Sequence, residues 1–170
     1  MLIDYLKITF GIILAVLVQF FIIDQVNFGP FIKPFPYLLS ILFINFERNK
    51  FTQLGLAFLA GFLMDLLHQS YGMHTAACVA LMFFKIKAEG VILNKDAIVL
   101  QGSHQLNSQF KGFRFYAFYF MTVIGIHHLV FFTFDYYKWS EFFVILLSTV
   151  LSTVFSFAFI HLIRTYILRR

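Results

Sequence analysis

Long apolar runs separated by short charged clusters organise the chain. From Ile8 to Ile23 no charged residue occurs, and with Tyr5 and Leu6 ahead of it this makes a first run over 5–23. The three prolines, Pro30, Pro34 and Pro36, follow close together. A proline has no N–H to give a helix interior, but it suits a loop or a first helical turn. A second run therefore starts at 34 and ends at 46, before Glu47-Arg48-Asn49-Lys50. The third, 51–67, is interrupted only by Asp65, and the fourth covers 72–86. After a polar connector over 85–114 come a fifth run, 115–134, and a sixth, 142–163. A helix rises about 1.5 Å per residue, so about 20 apolar residues cross the hydrocarbon layer. The pattern predicts an all-α membrane domain over 1–170 with six transmembrane helices. The second and fourth runs are short, and need tilt, snorkelling ends or shelter inside the bundle.

Composition excludes the other classes. Hydrophobic residues make up 61% of the chain and charged residues 12%, against about 45–50% and about 25% in soluble domains. Too few polar side chains remain to coat a water-soluble globule, and disorder requires the opposite bias. The single cysteine, Cys78, rules out an intramolecular disulfide and any multi-cysteine cluster.

Orientation follows from the thirteen basic residues. With the N-terminus cytoplasmic, the inner segments hold Lys7, Arg48, Lys50, Lys85, Lys87, Lys95, Lys111, Arg114, Arg164, Arg169 and Arg170; the outer segments hold only Lys33 and Lys138. This is the positive-inside asymmetry, and it places both termini in the cytoplasm. Removing one span would invert every later loop and spoil it. The net charge of +5 therefore belongs at anionic lipid headgroups and not at nucleic acid. The first run is expected to stay in the mature protein, because no small-residue cleavage pattern follows it. Within the connector, Val91-Ile92-Leu93 and Ala97-Ile98-Val99-Leu100 are too short to span and are expected along the cytoplasmic interface.

Asp65 is the one acidic residue between Lys50 and Lys85. A carboxylate at membrane depth costs about 2.5–3.5 kcal/mol on insertion scales, so it either reaches water at the outer end of the third span or has a specific partner. Ala57, Gly61 and Asp65 recur every four residues and share one helix face, offering close approach and then an acceptor. Ser148, Ser152 and Ser156 form a hydroxyl stripe on the sixth span, suited to bonding across a helix contact. His127 and His128 are adjacent and point about 100° apart, so they cannot jointly clamp one ion; at least one is expected to face the interior and bond another helix. Asp65, His68 and His74 offer metal donors in principle, but the turn-like Gln69-Ser70-Tyr71-Gly72 intervenes, and no metal is expected. No nucleophile has a base beside it, and no nucleotide-binding glycine pattern occurs. Neither an enzyme nor a cofactor is expected.

The stretch Leu56-Ala57-Phe58-Leu59-Ala60-Gly61-Phe62-Leu63-Met64-Asp65-Leu66-Leu67, followed by Gly72-Met73-His74-Thr75-Ala76-Ala77, resembles the rod-shape-determining MreD family. Gly61 and Asp65 match its G-x-x-x-D step and Gly72 its turn. His127-His128-Leu129 before a phenylalanine-rich helix is similar to one branch of that family. The resemblance implies a non-enzymatic component of the bacterial inner membrane that acts in cell elongation and peptidoglycan synthesis. It would work with an MreC-like protein and, through it, with MreB, RodA and a class B penicillin-binding transpeptidase. The resemblance also implies a fold similar to the S components of energy-coupling-factor transporters. That similarity supplies the alternative, a small-solute-binding membrane subunit.

The topology is testable with reporter fusions. Fusions at Gln69 and Ser103 should report opposite sides of the membrane; the same side for both would overturn the six-span arrangement.

Overall fold

The computed structural model describes residues 2–44, 49–92 and 112–168, and every regular element in them is a helix. Helix α1 (Leu2–Val18) runs on into a π turn over Gln19–Ile23. An extended stretch leads to a 3-10 turn, Pro36–Leu38, and to the single turn α2 (Leu39–Leu42). Then come α3 (Lys50–His68), α4 (Met73–Ile92), α5 (Gly112–Tyr136), a 3-10 turn over Trp139–Glu141, and α6 (Phe142–Leu168). Among the described residues, four stretches are long and apolar enough to cross a membrane: Asp4–Ile23, Lys50–His68, Tyr116–Tyr136 and Phe142–Tyr166. These helices mark a membrane protein. Helix α4 is equally long but carries Lys85, Lys87 and Glu89 in its second half.

Two boundaries differ from the sequence pattern. The run over 34–46 is helical only across Pro36–Leu42 among the described residues. Pro34 and Pro36 remove two N–H donors, and each pushes the residue before it out of the helical region; Phe35 sits at φ −118°. The connector was expected from 85, yet α4 continues to Ile92. Its charges are tolerated because Lys85 and Glu89 pair one turn apart on a buried face. Residues 93–111, with most of the stretch expected along the interface, lie outside the described residues.

Helices α3, α4, α5 and α6 pack in sequence, each antiparallel to the next, and α1 lies alongside α3 in the same direction. Matching ends prove the direction: the Phe20 ring meets the His68 ring at 5.1 Å. The extended stretch and α2 are enclosed by this row and α1, with Phe35, Tyr37, Leu38, Ile41 and Leu42 all buried. The outside is apolar, with Phe10 on α1, Phe21 in the π turn after it, and Phe143 and Leu162 on α6 exposed. The inside holds Gln19, Lys85, Glu89, His127 and His128. Such a distribution suits lipid outside and hydrogen-bonded polar groups within.

Gly61 sets the α3–α4 separation. A Cβ built there would lie 2.5 Å from Thr75 Cα and 2.6 Å from the His74 carbonyl oxygen, both backbone atoms. Beside Gly55 there is nothing within 4 Å. Gly→Ala inside a helix ordinarily stabilises by about 0.5–1 kcal/mol. At Gly61 the clash should reverse the sign, costing about 1–3 kcal/mol. Thermal unfolding in detergent should therefore drop for Gly61→Ala and hold or rise for Gly55→Ala; equal responses would contradict the close approach.

Candidate functional site

At the expected outer end, α3 stops at Gln69, whose left-handed backbone (φ 54°) turns the chain. Gly72 (φ +93°) completes the turn into α4. The first N–H groups of a helix have no partner within it and carry its positive dipole end. Asp65, one turn before the end of α3, supplies acceptors for them. Its Oδ1 accepts from the His74 N–H (3.0 Å) and the Ser70 hydroxyl (2.5 Å). Its Oδ2 accepts from the Thr75 N–H (2.8 Å) and the Thr75 hydroxyl (2.5 Å). Four donors offset the cost of holding a carboxylate at 7% exposure. The Ala57–Gly61–Asp65 stripe thus faces α4 of the same chain. Gly61 permits the approach, Asp65 caps the incoming helix and Gly72 makes the turn.

The second polar group lies at the centre of the bundle. The Tyr37 hydroxyl stands 3.0 Å from His127 Nε2, 3.2 Å from His74 Nδ1 and 3.2 Å from Cys78 Sγ. A hydroxyl has one proton and two lone pairs, so the three contacts are satisfied if Tyr37 donates to one neighbour and accepts from the other two. All four residues are buried, and His127 Nδ1 has no hydrogen-bond partner. His128 diverges from His127, as adjacent helical residues must. Its Nδ1 lies 3.0 Å from the Ile124 carbonyl and its Nε2 3.1 Å from the Ser156 hydroxyl.

Ser156 links this cluster to the extended stretch. The Phe35 N–H donates to its oxygen at 2.8 Å, so its own proton is free for His128 Nε2, while His128 Nδ1–H donates to Ile124. One proton assignment satisfies all three contacts. Ser152 behaves alike, accepting from the Lys33 N–H (2.9 Å) and donating to the Phe31 carbonyl (3.3 Å). From the π turn that ends α1, Gln19 donates to the Pro34 carbonyl (3.0 Å) and accepts from the Tyr37 N–H (3.3 Å). Two of the three stripe serines therefore bond an unwound backbone, and Ser156 bonds α5 through His128 as well; Ser148 is buried with its hydroxyl unpartnered.

Near the other end, Lys85 and Glu89 pair at 3.2 Å. Lys85 Nζ also donates to the Ile44 carbonyl (3.0 Å), and the Tyr119 hydroxyl donates to Glu89 (3.0 Å). The Arg164 guanidinium lies 4.5 Å from the Tyr116 ring centre. Lys85 and Arg164 were counted among headgroup-facing charges, but both are buried in the bundle. The three metal donors considered from sequence go to separate partners: Asp65 to α4, His74 to Tyr37, and His68 Nε2 to Asp24 at 2.9 Å.

Gln19, Asp24 and Tyr37 were not singled out from sequence. Gln19 had a visible signal, an amide inside a run of apolar residues. Tyr37 follows the proline cluster, itself a mark of a broken span. Comparison of the chain with protein-family models, with curated proteins and with solved structures gives no match.

The role of Ser156 is measurable. Ser156→Ala leaves the Phe35 N–H and His128 Nε2 without partners and should cost about 1–3 kcal/mol, read as a lower unfolding midpoint in detergent. Ser148→Ala removes an unpartnered hydroxyl and should change little. Equal loss from both substitutions would show that stripe packing, not backbone bonding, matters.

Proposed function

We propose that this chain is a non-enzymatic inner-membrane component of the bacterial cell-elongation machinery, of the MreD type, acting by binding an MreC-like protein. What supports the reading is the joint action of the residues that carry the resemblance: Gly61, Asp65 and Gly72 form a single device that closes α3 onto α4. Through the MreC-like partner it would bear on MreB, RodA and a class B penicillin-binding transpeptidase. The proposal includes six crossings with both termini cytoplasmic, in a fold similar to the S components of energy-coupling-factor transporters. Residues 31–44 have the reach for the second crossing: an extended residue covers about 3.3 Å and a helical one about 1.5 Å, about 30 Å in all. Since the Gly61–Asp65 stripe is used within the fold, partner contact falls to outward faces such as that of Phe10 and Leu14 on α1.

A second reading, a small-solute-binding subunit, is favoured by the convergence of Tyr37, His74 and His127 beside an unwound segment. Irregular backbone at membrane depth commonly lines substrate sites in transporters.

Co-purification from membranes tests the first reading. The wild-type chain should bring down an MreC-like protein. Asp65→Asn keeps the shape but turns an NH₂ toward donors, so folded protein and bound partner should fall together. Phe10→Ala with Leu14→Ala should preserve the fold and weaken partner recovery. Folded wild-type chain that recovers no MreC-like protein would sink the reading.

A further inference from the structure

At the Asp24 end of the bundle, a cleft of about 230 Å³ opens between the loop after α1 and the ends of α3, α4 and α5. Its floor is a set of touching rings: Phe35 against His74 (5.1 Å), His74 against Phe131 (4.6 Å) and Phe131 against Phe35 (5.0 Å). Opposite charges stand on two sides of that floor. On one, Asp24 bonds His68, whose ring meets His74 at 5.6 Å. On the other, the Lys33 ammonium sits 5.5 Å from the Phe131 ring centre.

We infer that this cleft binds a small organic zwitterion of the amino-acid type, its carboxylate at Lys33, its ammonium at Asp24 and its apolar part on the ring floor. The inference deepens the solute-binding reading and rests on it. Size comes first. The cleft has room for about seven waters and is smaller than the roughly 300 Å³ at which drug-sized sites begin, so the ligand is small.

Charge selects within that size. A simple anion meets the Asp24 carboxylate, a simple cation meets the Lys33 ammonium, and each mismatch is a cost. Only a molecule bearing both charges is complementary to both walls.

Both walls have capacity left. The Asp24 oxygens take one hydrogen bond each, from Gln19 (2.7 Å) and His68 (2.9 Å), while an ionised carboxylate accepts about four. Lys33 uses one bond on Asp135 (2.8 Å) of the three its ammonium can donate, and its side chain is 47% exposed. The cleft also adjoins the unwound stretch, whose Lys33 and Phe35 supply one wall and part of the floor.

The test uses the purified full chain in detergent, with L-leucine as the zwitterion, leucinamide as its cation and 4-methylpentanoate as its anion. L-leucine should raise the unfolding midpoint by about 5 °C at saturation, and neither analogue should. Asp24→Asn and Lys33→Gln should each abolish the rise. Because Asp24 also holds Gln19 and His68, Val26→Trp serves as a second variant. Val26 lines the cleft and is 52% exposed, so tryptophan there fills the space while leaving both charged side chains in the sequence, and it too should abolish the rise while leaving the ligand-free midpoint unchanged. A leucine response that survives all three substitutions, or equal responses to leucine and its analogues, would overturn the assignment. A response to an analogue alone, lost in Val26→Trp, would overturn it while leaving the solute reading standing. No response to any of the three would remove both.

Discussion

A peptide group in hydrocarbon has no water to bond, and each unpaired one costs several kcal/mol. Residues 32–35 bring such groups into the bundle outside any helix, and the first N–H groups of the 3-10 turn that follows lack helical partners too. The polar interior is organised around this demand. Gln19 from the π turn that ends α1 and Ser152 and Ser156 from α6 serve the Phe31 and Pro34 carbonyls and the N–H groups of Lys33, Phe35 and Tyr37. Those side chains must approach from opposite sides, which holds α1 and α6 about the same strand of backbone. A soluble protein could leave such a stretch to solvent.

The same demand explains why the interior is rich in rings and hydroxyls. Once Ser156 accepts from Phe35, its proton needs an acceptor, and His128 supplies one. Tyr37 enters where the extended stretch becomes helical, and its hydroxyl gathers His74, Cys78 and His127 from two helices. Each polar group is admitted because a neighbour needs it, and the network joins α1, α4, α5 and α6 through one segment. At the α3–α4 turn a local version of the rule applies, with Asp65 meeting the free donors of α4 across a contact only glycine permits.

These arrangements bear on function through what they leave free. The Gly61–Asp65 stripe and two of the three serines of α6 are engaged within the fold. The outward surface is apolar, and α1 shows more of it than any other long helix. At the Asp24 end, Asp24 and Lys33 each keep bonding capacity beyond the partners they hold. The apolar face of α1 and the cleft at the Asp24 end are formed by different residues.

Much of this was legible in the chain because it is local. Apolar run length sets the membrane class, three prolines mark the loop before the second run, and four-residue spacing puts Ala57, Gly61 and Asp65 on one face. His127 and His128 had to diverge for the same helical reason. Tertiary structure decided everything that depends on which segments become neighbours. Nothing near Ser156 in sequence announces an extended backbone 121 residues away, and nothing beside Asp65 says that its partner is the next helix and not another protein. Lys85 and Arg164 read as headgroup charges until Glu89 and the Tyr116 ring meet them inside the bundle. Periodicity is a property of one helix, whereas a buried hydrogen bond is a property of two segments, and only packing chooses the second.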